Sequence, residues 1–439
     1  MSKNALKENE DKKMKEKAFG LWSAVFLGIG SMVGAGIFIV IGQAGAMAGN
    51  IVWLSFVFGG IIALLSGYSL AKLAVRYQSR GGIVEYLVQG FGENVFSGSM
   101  GVMFYFSQLI ALAAVAKSFG TYSATFMSDG STFWIDTFAV GIIALFTLIN
   151  LIGSSIVAKS ENIIVLVKLS ILVLFAIAAL FSIKPELLSL SAMPPMSGMV
   201  FAIGITFFAY QGFSVITNTV EDMKNPETTM LKAMFIAILI VAALYILTSV
   251  SVLGNLSIDT IIKTKDYALA EAAKPMFGEW GFKIIAATAL LATASAINAT
   301  LFAVSDIGYT MAKEGNLPEA YEYNVYNSYE GLIISALLVI PMILFFNLAQ
   351  ITTVAAIIML IVQGTTHIAH LNLLQETGAQ KHLVHLAILS MFSIAAITLY
   401  STYKTMPEIA YYLIASFALA FSVEFLLKYF KNRVILKQI

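Results

Sequence analysis

The chain predicts an all-α polytopic membrane protein with twelve transmembrane helices, and three observations carry that reading. Of its 439 residues, 59% are hydrophobic and 12% are charged, against about a quarter charged in an ordinary soluble domain. The charges gather at the two ends and in short spacers. Between them run apolar stretches of about 20 residues, enough to cross a hydrocarbon core of about 30 Å. A backbone with no water to bond must satisfy itself there as helix or closed barrel. The length of these runs and their lack of alternation select helix.

Residues 1–18 carry Lys3, Lys7, Lys12, Lys13, Lys15 and Lys17 among acids and lack a small-residue cleavage site, so they read as a cytoplasmic tail rather than a signal peptide. Spans follow at 19–42, 51–75, 95–116, 135–153, 160–183, 197–220, 230–254, 281–311, 329–346, 350–375, 383–402 and 407–430, then a second tail at 431–439. Segment 83–92 is too short to cross and is expected along the inner surface. Segment 257–278 mixes Asp259, Lys263, Lys265, Asp266 and Glu271 with apolar residues and is placed outside the membrane. An even number of spans puts both basic ends on one side. With both inside, the inner segments hold 18 of the 26 Lys and Arg, as the positive-inside rule requires of a plasma-membrane protein with cytoplasmic termini. Lys168 alone belongs to neither side. Trp53, Trp134 and Trp280 fall at span ends as interfacial anchors.

The first span is interrupted. Gly28, Gly30, Gly34 and Gly36 fall within nine residues at mid-membrane, a cost in helix stability that a plain anchor has no reason to carry. The sixth span has a milder break, with Gln211 and Gly212 in Phe207-Phe208-Ala209-Tyr210-Gln211-Gly212-Phe213. Each break lies in the opening helix of a five-span block, 19–183 and 197–375. Five is odd, so the second block enters from the opposite side. Paired broken helices in inverted repeats mark the binding site of many secondary transporters. The free N–H groups at one half-helix start suit a carboxylate, and the free carbonyls at the other end suit an ammonium. The plainer reading is that the glycines only permit close packing.

These residues carry a resemblance. Gly30-Ser31-Met32-Val33-Gly34-Ala35-Gly36-Ile37-Phe38 is similar to the first-helix signature of the amino acid–polyamine–organocation (APC) superfamily. Phe207 to Phe213, followed by Glu221-Asp222-Met223-Lys224-Asn225-Pro226, resembles its sixth helix and the next loop. Ala299-Thr300 through Ala312-Lys313-Glu314-Gly315-Asn316-Leu317-Pro318 resembles the end of its eighth. The likeness covers nearly the whole chain and is greatest to an archaeal proton-coupled member. It implies five-plus-five inverted repeats with two peripheral helices at 383–430. It also implies a substrate carboxylate on the N–H groups around Gly34, at Ala35 and Gly36, and an amine on the carbonyls of Met32, Phe208, Ala209 and Gln211. Phe208 would then be an aromatic gate. Many relatives carry an acid where this chain has Gln211, so its absence here points to neutral amino acids.

Lys168 lies nine residues after Lys159, roughly 13 Å into the membrane at 1.5 Å per residue. An ionisable group at that depth is a functional candidate. The resemblance implies that its ammonium replaces the cation that sodium-coupled relatives hold between helices one, five and eight. It would grip the carbonyl region near Gly28 and Ile29, with Ser295 beside it, and release the first helix on losing its proton. A static clamp that never titrates is the alternative.

Weaker signals are His367-x-x-His370 and His382-x-x-His385, read as interfacial polar residues rather than a metal site. Glu424 and Lys428 are spaced to pair. Asp306 is expected to line an inner exit or pair with a lysine, and Glu221 with Asp222 to join an inner gate. The chain has no cysteine, which excludes disulfides and thiolate chemistry. It has no Walker loop, HExxH or G-x-S-x-G. The expectation is therefore no enzyme, no cofactor, no metal and no nucleic acid. It is a proton-coupled symporter of neutral L-amino acids whose partners are substrate, protons and lipid, working as a monomer. An exchanger, a sodium symporter on the same fold and a non-transporting sensor are the alternatives.

Overall fold

The computed structural model describes residues 20–34, 36–79, 81–127, 130–152, 155–189, 196–326 and 328–430, with backbone alone at 155–162 and 430. The two tails expected at 1–18 and 431–439 lie outside the described residues. Nearly everything described is helix. In chain order the helices are α1 (Leu21–Met32), α2 (Gly36–Ala48), α3 (Val52–Arg76), α4 (Ile83–Phe91), α5 (Val95–Ala124), α6 (Thr132–Ile152) and α7 (Ser155–Leu180). Then come α8 (Met196–Ala209), a 3-10 helix over Gln211–Asp222, α9 (Pro226–Asn255), α10 (Ile258–Lys263), α11 (Ala268–Glu271) and α12 (Lys274–Lys313). The last are α13 (Glu330–Phe345), α14 (Leu348–Leu371), α15 (Leu374–Thr377), α16 (Lys381–Thr405) and α17 (Glu408–Phe430).

Ten helical runs among the described residues are long and apolar enough to cross a membrane. One of these is the continuous run Gly36–Arg76, which holds both α2 and α3; α1 and α13 are apolar but shorter. The molecule is a multi-pass integral membrane protein. Its exterior carries the apolar surface that lipid requires, such as Leu145, Ile163, Leu174, Leu389 and Ile414.

Local chemistry sets several helix starts. Asn94 accepts from the N–H groups of Phe96 and Ser97, and Ser97 Oγ takes the Asn94 N–H, a capping box that opens α5. Asn347 and Gln350 do the same for α14. Inside the bundle, small residues let helices meet. A Cβ on Gly67 of α3 would lie 2.9 Å from Met234 of α9.

Segment 83–92 forms the short helix α4, with Ile83 through Val88 buried. Three sequence expectations change here. The third helix continues to Ala124 and takes in Lys117, which is buried and donates to Asp136 and, at 2.7 Å, to the Ile343 carbonyl. Among the described residues Lys168 is thus one of two buried lysines, not a lone one; the charge on Asp136 was legible, its distance to Lys117 was not. The second half of the sixth span winds as 3-10 rather than α helix. A two-residue hairpin, Asn324–Val325 against Ser328–Tyr329, adds the one element of sheet among the described residues.

Candidate functional site

The two interruptions face each other. α1 stops at Met32 and α2 starts at Gly36, while α8 stops at Ala209 and the 3-10 helix starts at Gln211. Gly36 and Gly212 make the approach possible. A Cβ on Gly36 would lie 2.5 Å from the Ala209 carbonyl oxygen and 3.0 Å from the Tyr245 hydroxyl, and one on Gly212 would overlap the backbone of Ser31 and Met32. The breaks are therefore packed backbone to backbone.

Side chains from two other helices hold the freed carbonyls. The α1 ladder closes with the Val33 N–H on the Ile29 carbonyl at 2.8 Å, which leaves the last carbonyls of α1 without helical donors. Lys168 of α7, 1% exposed, donates to the Gly30 carbonyl at 3.0 Å. Tyr245 of α9 lies 2.7 Å from the Met32 carbonyl and 3.0 Å from that of Ala209. The lysine contact falls at Gly30, one residue beyond the Gly28–Ile29 region expected. Gly28 faces elsewhere, because a Cβ there would lie 2.5 Å from Ile216 and 3.2 Å from Ala237. The shift follows from the ladder, since Ile29 already has its donor and Gly30 is the next carbonyl along.

A cavity of about 830 Å³ runs between the breaks. Of the expected substrate residues, Met32, Gly36, Phe208, Ala209 and Gln211 line it, and Ser295 of α12 joins them. Gly34 does not. Its face is closed by α12, where a Cβ would lie 2.8 Å from Ala296, so at this position the packing reading of the glycine holds. Ala35 lies outside the described residues. The Gln211 carbonyl accepts from Ser214 Oγ at 3.3 Å. The Met32 and Ala209 carbonyls, expected to take an amine, already have Tyr245.

The cavity extends along the first half of α1 (Trp22, Phe26) and the second half of α12 (Ala303, Ile307). At its other end α2 is sealed. A Cβ on Gly42 would overlap the Lys265 carbonyl, and one on Gly45 would lie 3.3 Å from Ile261. Gln43 lies 3.4 Å from Asp266 and accepts from Thr352 Oγ1 at 2.8 Å. Burial holds the Asp266 carboxyl above the usual carboxylate range, against the opposing pull of Lys265 and Gln43. The segment placed outside the membrane thus supplies the lid over this end.

Other expected polar residues fall differently. His367 and His370 of α14 are fully buried against α3, with His370 Nδ1 2.7 Å from Ser69 Oγ and His367 Nε2 3.0 Å from Ser66 Oγ. His385 Nδ1 lies 2.7 Å from the Lys381 carbonyl one turn back in its own helix, and its side chain is exposed. No cluster of three or more metal-ligand residues occurs among the described residues. Glu424 is buried against Gly98 with its Oε2 unpartnered, rather than drawn into a bridge by Lys428. Asp306, Glu221 and Asp222 stand at the exposed surface. Sequence reasoning missed Tyr245, Lys117 and Gln363. Tyrosine at mid-helix in an apolar run was the available signal for the first.

A family model for amino acid permeases matches residues 19–439. The chain belongs to the amino acid permease family. It is 36% identical over 416 residues to the inner membrane transport protein YbaT of Escherichia coli, covering 94% of this chain and 96% of that one. It is equally 36% identical over 407 residues to an uncharacterized protein of Methanocaldococcus jannaschii, covering 92% and 94%. The serine/threonine exchanger SteT of Bacillus subtilis is 28% identical over 319 residues, 71% of each chain. This permease is an amino acid transport protein of the membrane, in a family of transporters rather than enzymes.

Proposed function

We propose that this permease is a proton-coupled symporter of neutral amino acids, working by alternating access. The observation that carries the proposal is the bond from Lys168 Nζ to the Gly30 carbonyl at the broken end of α1. An ammonium there bonds the inner half-helix; an amine that has lost its proton holds it less firmly, because charge-assisted hydrogen bonds are the stronger. Proton release at Lys168 is thereby tied to the half-helix that lines the cavity.

The substrate lies in the cavity between the breaks. Its carboxylate meets the first N–H groups of α2, from Gly36 onward, which have no intrahelical acceptor, with Ala35 assigned to the same site. Its ammonium uses the second lone pairs of the Met32 and Ala209 carbonyls and those of Phe208 and Gln211. Phe208 lies over it, and Ser295 completes the cation region with Lys168. The cavity reaches the end bearing the start of α1 while the Asp266 lid covers the other, which supports an inward-facing state.

In this reading the chain has twelve spans in two inverted five-helix repeats, with α16 and α17 peripheral, both termini cytoplasmic, and functions in the plasma membrane as a monomer. The likeness to the serine/threonine exchanger of Bacillus subtilis makes exchange the second reading. The test is uptake of radiolabelled alanine into liposomes holding the purified protein, with and without an inward proton gradient. Uptake driven by the gradient, indifferent to sodium and lost in Lys168→Ala is expected. Uptake that ignores the gradient, persists in the variant and is stimulated by internal alanine would establish exchange instead.

A further inference from the structure

A chain of buried polar side chains runs from α14 to the cavity and ends on an unused donor. His367 Nε2 lies 3.0 Å from Ser66 Oγ, and Ser66 Oγ lies 3.0 Å from Gln363 Oε1. Gln363 Nε2 donates to Gln211 Oε1 at 2.9 Å. His367, Ser66 and Gln363 are all fully buried. Gln211 lines the cavity, and its Nε2 is buried without a hydrogen-bond partner.

The polarity of this chain follows from proton counting. Ser66 has one proton to give. If it donates to Gln363 Oε1, its oxygen must accept from His367, which places the imidazole proton on Nε2 and leaves Nδ1 bare. Gln363 then donates to Gln211 Oε1, and the Gln211 NH2 group is left as the unpartnered end of a side chain whose residue lines the cavity. The reverse polarity turns both amides and presents the Gln211 oxygen instead. It also requires the imidazole proton on Nδ1, which is buried and has no partner. Each polarity leaves one buried donor group without an acceptor: the first leaves the Gln211 NH2, on a residue that lines the cavity where a ligand oxygen can satisfy it, and the reverse leaves the Nδ1–H of His367, which does not line the cavity. The first polarity is therefore favoured, and His367, three residues removed in the relay, determines which end of Gln211 meets the ligand.

We infer that Gln211 is a specificity-determining residue that selects neutral amino acids whose side chain carries a hydrogen-bond-accepting oxygen, a hydroxyl or an amide. The inference rests on the proposed amino acid site and deepens it. The backbone groups of the two breaks engage the α-carboxylate and α-ammonium, which every amino acid has, so they cannot rank side chains. Gln211 can, because its donor stays unpaired with an aliphatic ligand and is satisfied by an oxygen. Gln363, Ser66 and His367 are positioning residues that act through it.

The discriminating pair is O-methyl-L-serine and L-norvaline, which share a shape and differ by an ether oxygen against a methylene. The ether accepts and cannot donate, so it reads the donor alone. Each is competed against radiolabelled alanine on the purified permease, with the melting temperature recorded for every variant. The wild type is expected to favour O-methylserine about fivefold, the worth of one net hydrogen bond. In Gln211→Leu the ratio falls to about one. In Gln211→Glu, an acceptor-only group, it reverses in favour of norvaline, which keeps the test decisive if the leucine variant does not fold. Ser66→Ala, which frees the relay to turn, lowers the ratio without inverting it. A wild-type ratio of one or below, or a ratio unchanged in both Gln211 variants, overturns the inference while alanine binding leaves the amino acid site standing. Failure of the wild type to bind alanine would overturn the site itself, and the inference with it.

Discussion

The hydroxyl of Tyr245 stands 2.7 Å from the carbonyl of Met32, joining the middle of α9 to the point where the first helix breaks. The same hydroxyl lies 3.0 Å from the Ala209 carbonyl at the second break. Its ring also packs edge-on to Phe56, 5.7 Å between centroids. One side chain thus ties both interruptions to a third helix. Tyr245→Phe keeps the ring and removes the tie, leaving buried carbonyls with fewer donors. It is expected to cost about 1–3 kcal/mol, read as a lower melting temperature in detergent, and to weaken alanine binding. An unchanged melting temperature would show that the breaks are held by packing alone.

The glycines at the breaks give a steric prediction. Gly36→Ala forces a methyl to 2.5 Å from the Ala209 carbonyl oxygen, and Gly212→Ala drives one into the Ser31–Met32 backbone. Neither obstacle is the flexible end of a side chain, so the half-helices must separate. Both variants are expected to lose alanine binding, and Gly36→Leu to abolish it. Gly141, with nothing within 4 Å of its Cβ position, is the control: Gly141→Ala should bind as the wild type does. Normal affinity in Gly36→Leu would remove the breaks from the binding site.

Lys117 is buried and pairs with Asp136, whose side chain is 20% exposed, and with the Ile343 carbonyl. Removing the aspartate strands the buried ammonium, at a cost of up to about 3–5 kcal/mol, whereas removing the lysine leaves a carboxylate that still reaches solvent. Asp136→Leu alone should therefore be the more destabilised single variant, and Lys117→Met with Asp136→Leu should recover much of its loss. Thermal unfolding of the two single variants and the double variant measures the coupling. Equal additive losses would contradict it.

Asp266 makes the lid sensitive to pH. Burial raises its folded-state affinity for a proton above that of an exposed carboxyl. The docked lid therefore bears no penalty while both states are protonated, and loses stability as pH rises from the usual carboxylate range through the raised value. Asp266→Asn abolishes that dependence. Hydrogen exchange of residues 258–271 between about pH 4 and pH 8 reads it: protection should fall with rising pH in the wild type and stay level in the variant. Protection that rises with pH in the wild type would reverse the assignment.

Much of the fold was legible because lipid imposes a strict rule on sequence. Apolar runs of fixed length must be helices, so the long helices from α5 to α17 fall near their expected places. The interruption at Gly34–Gly36 was legible because four glycines within nine residues weaken a helix, and that at Gln211 because a polar amide there needs a partner. The interior faces were not legible. Helices that are apolar all round show no stripe to say which side meets protein and which meets lipid.

The sequence by itself determined that the chain crosses a membrane many times, where two of its helices break, and that Lys168 falls inside an apolar run. Tertiary structure decided which carbonyl Lys168 meets, that Tyr245 spans both breaks, that Gly34 packs on Ala296 instead of facing the cavity, and that Ser66, Gln363 and Gln211 form one chain with His367. The physical reason is separation along the chain. Lys168 meets Gly30 across 138 residues and Ser66 meets Gln363 across 297. Hydrogen bonds act over about 3 Å, so such partners are set by how helices pack, which no local pattern of residues records.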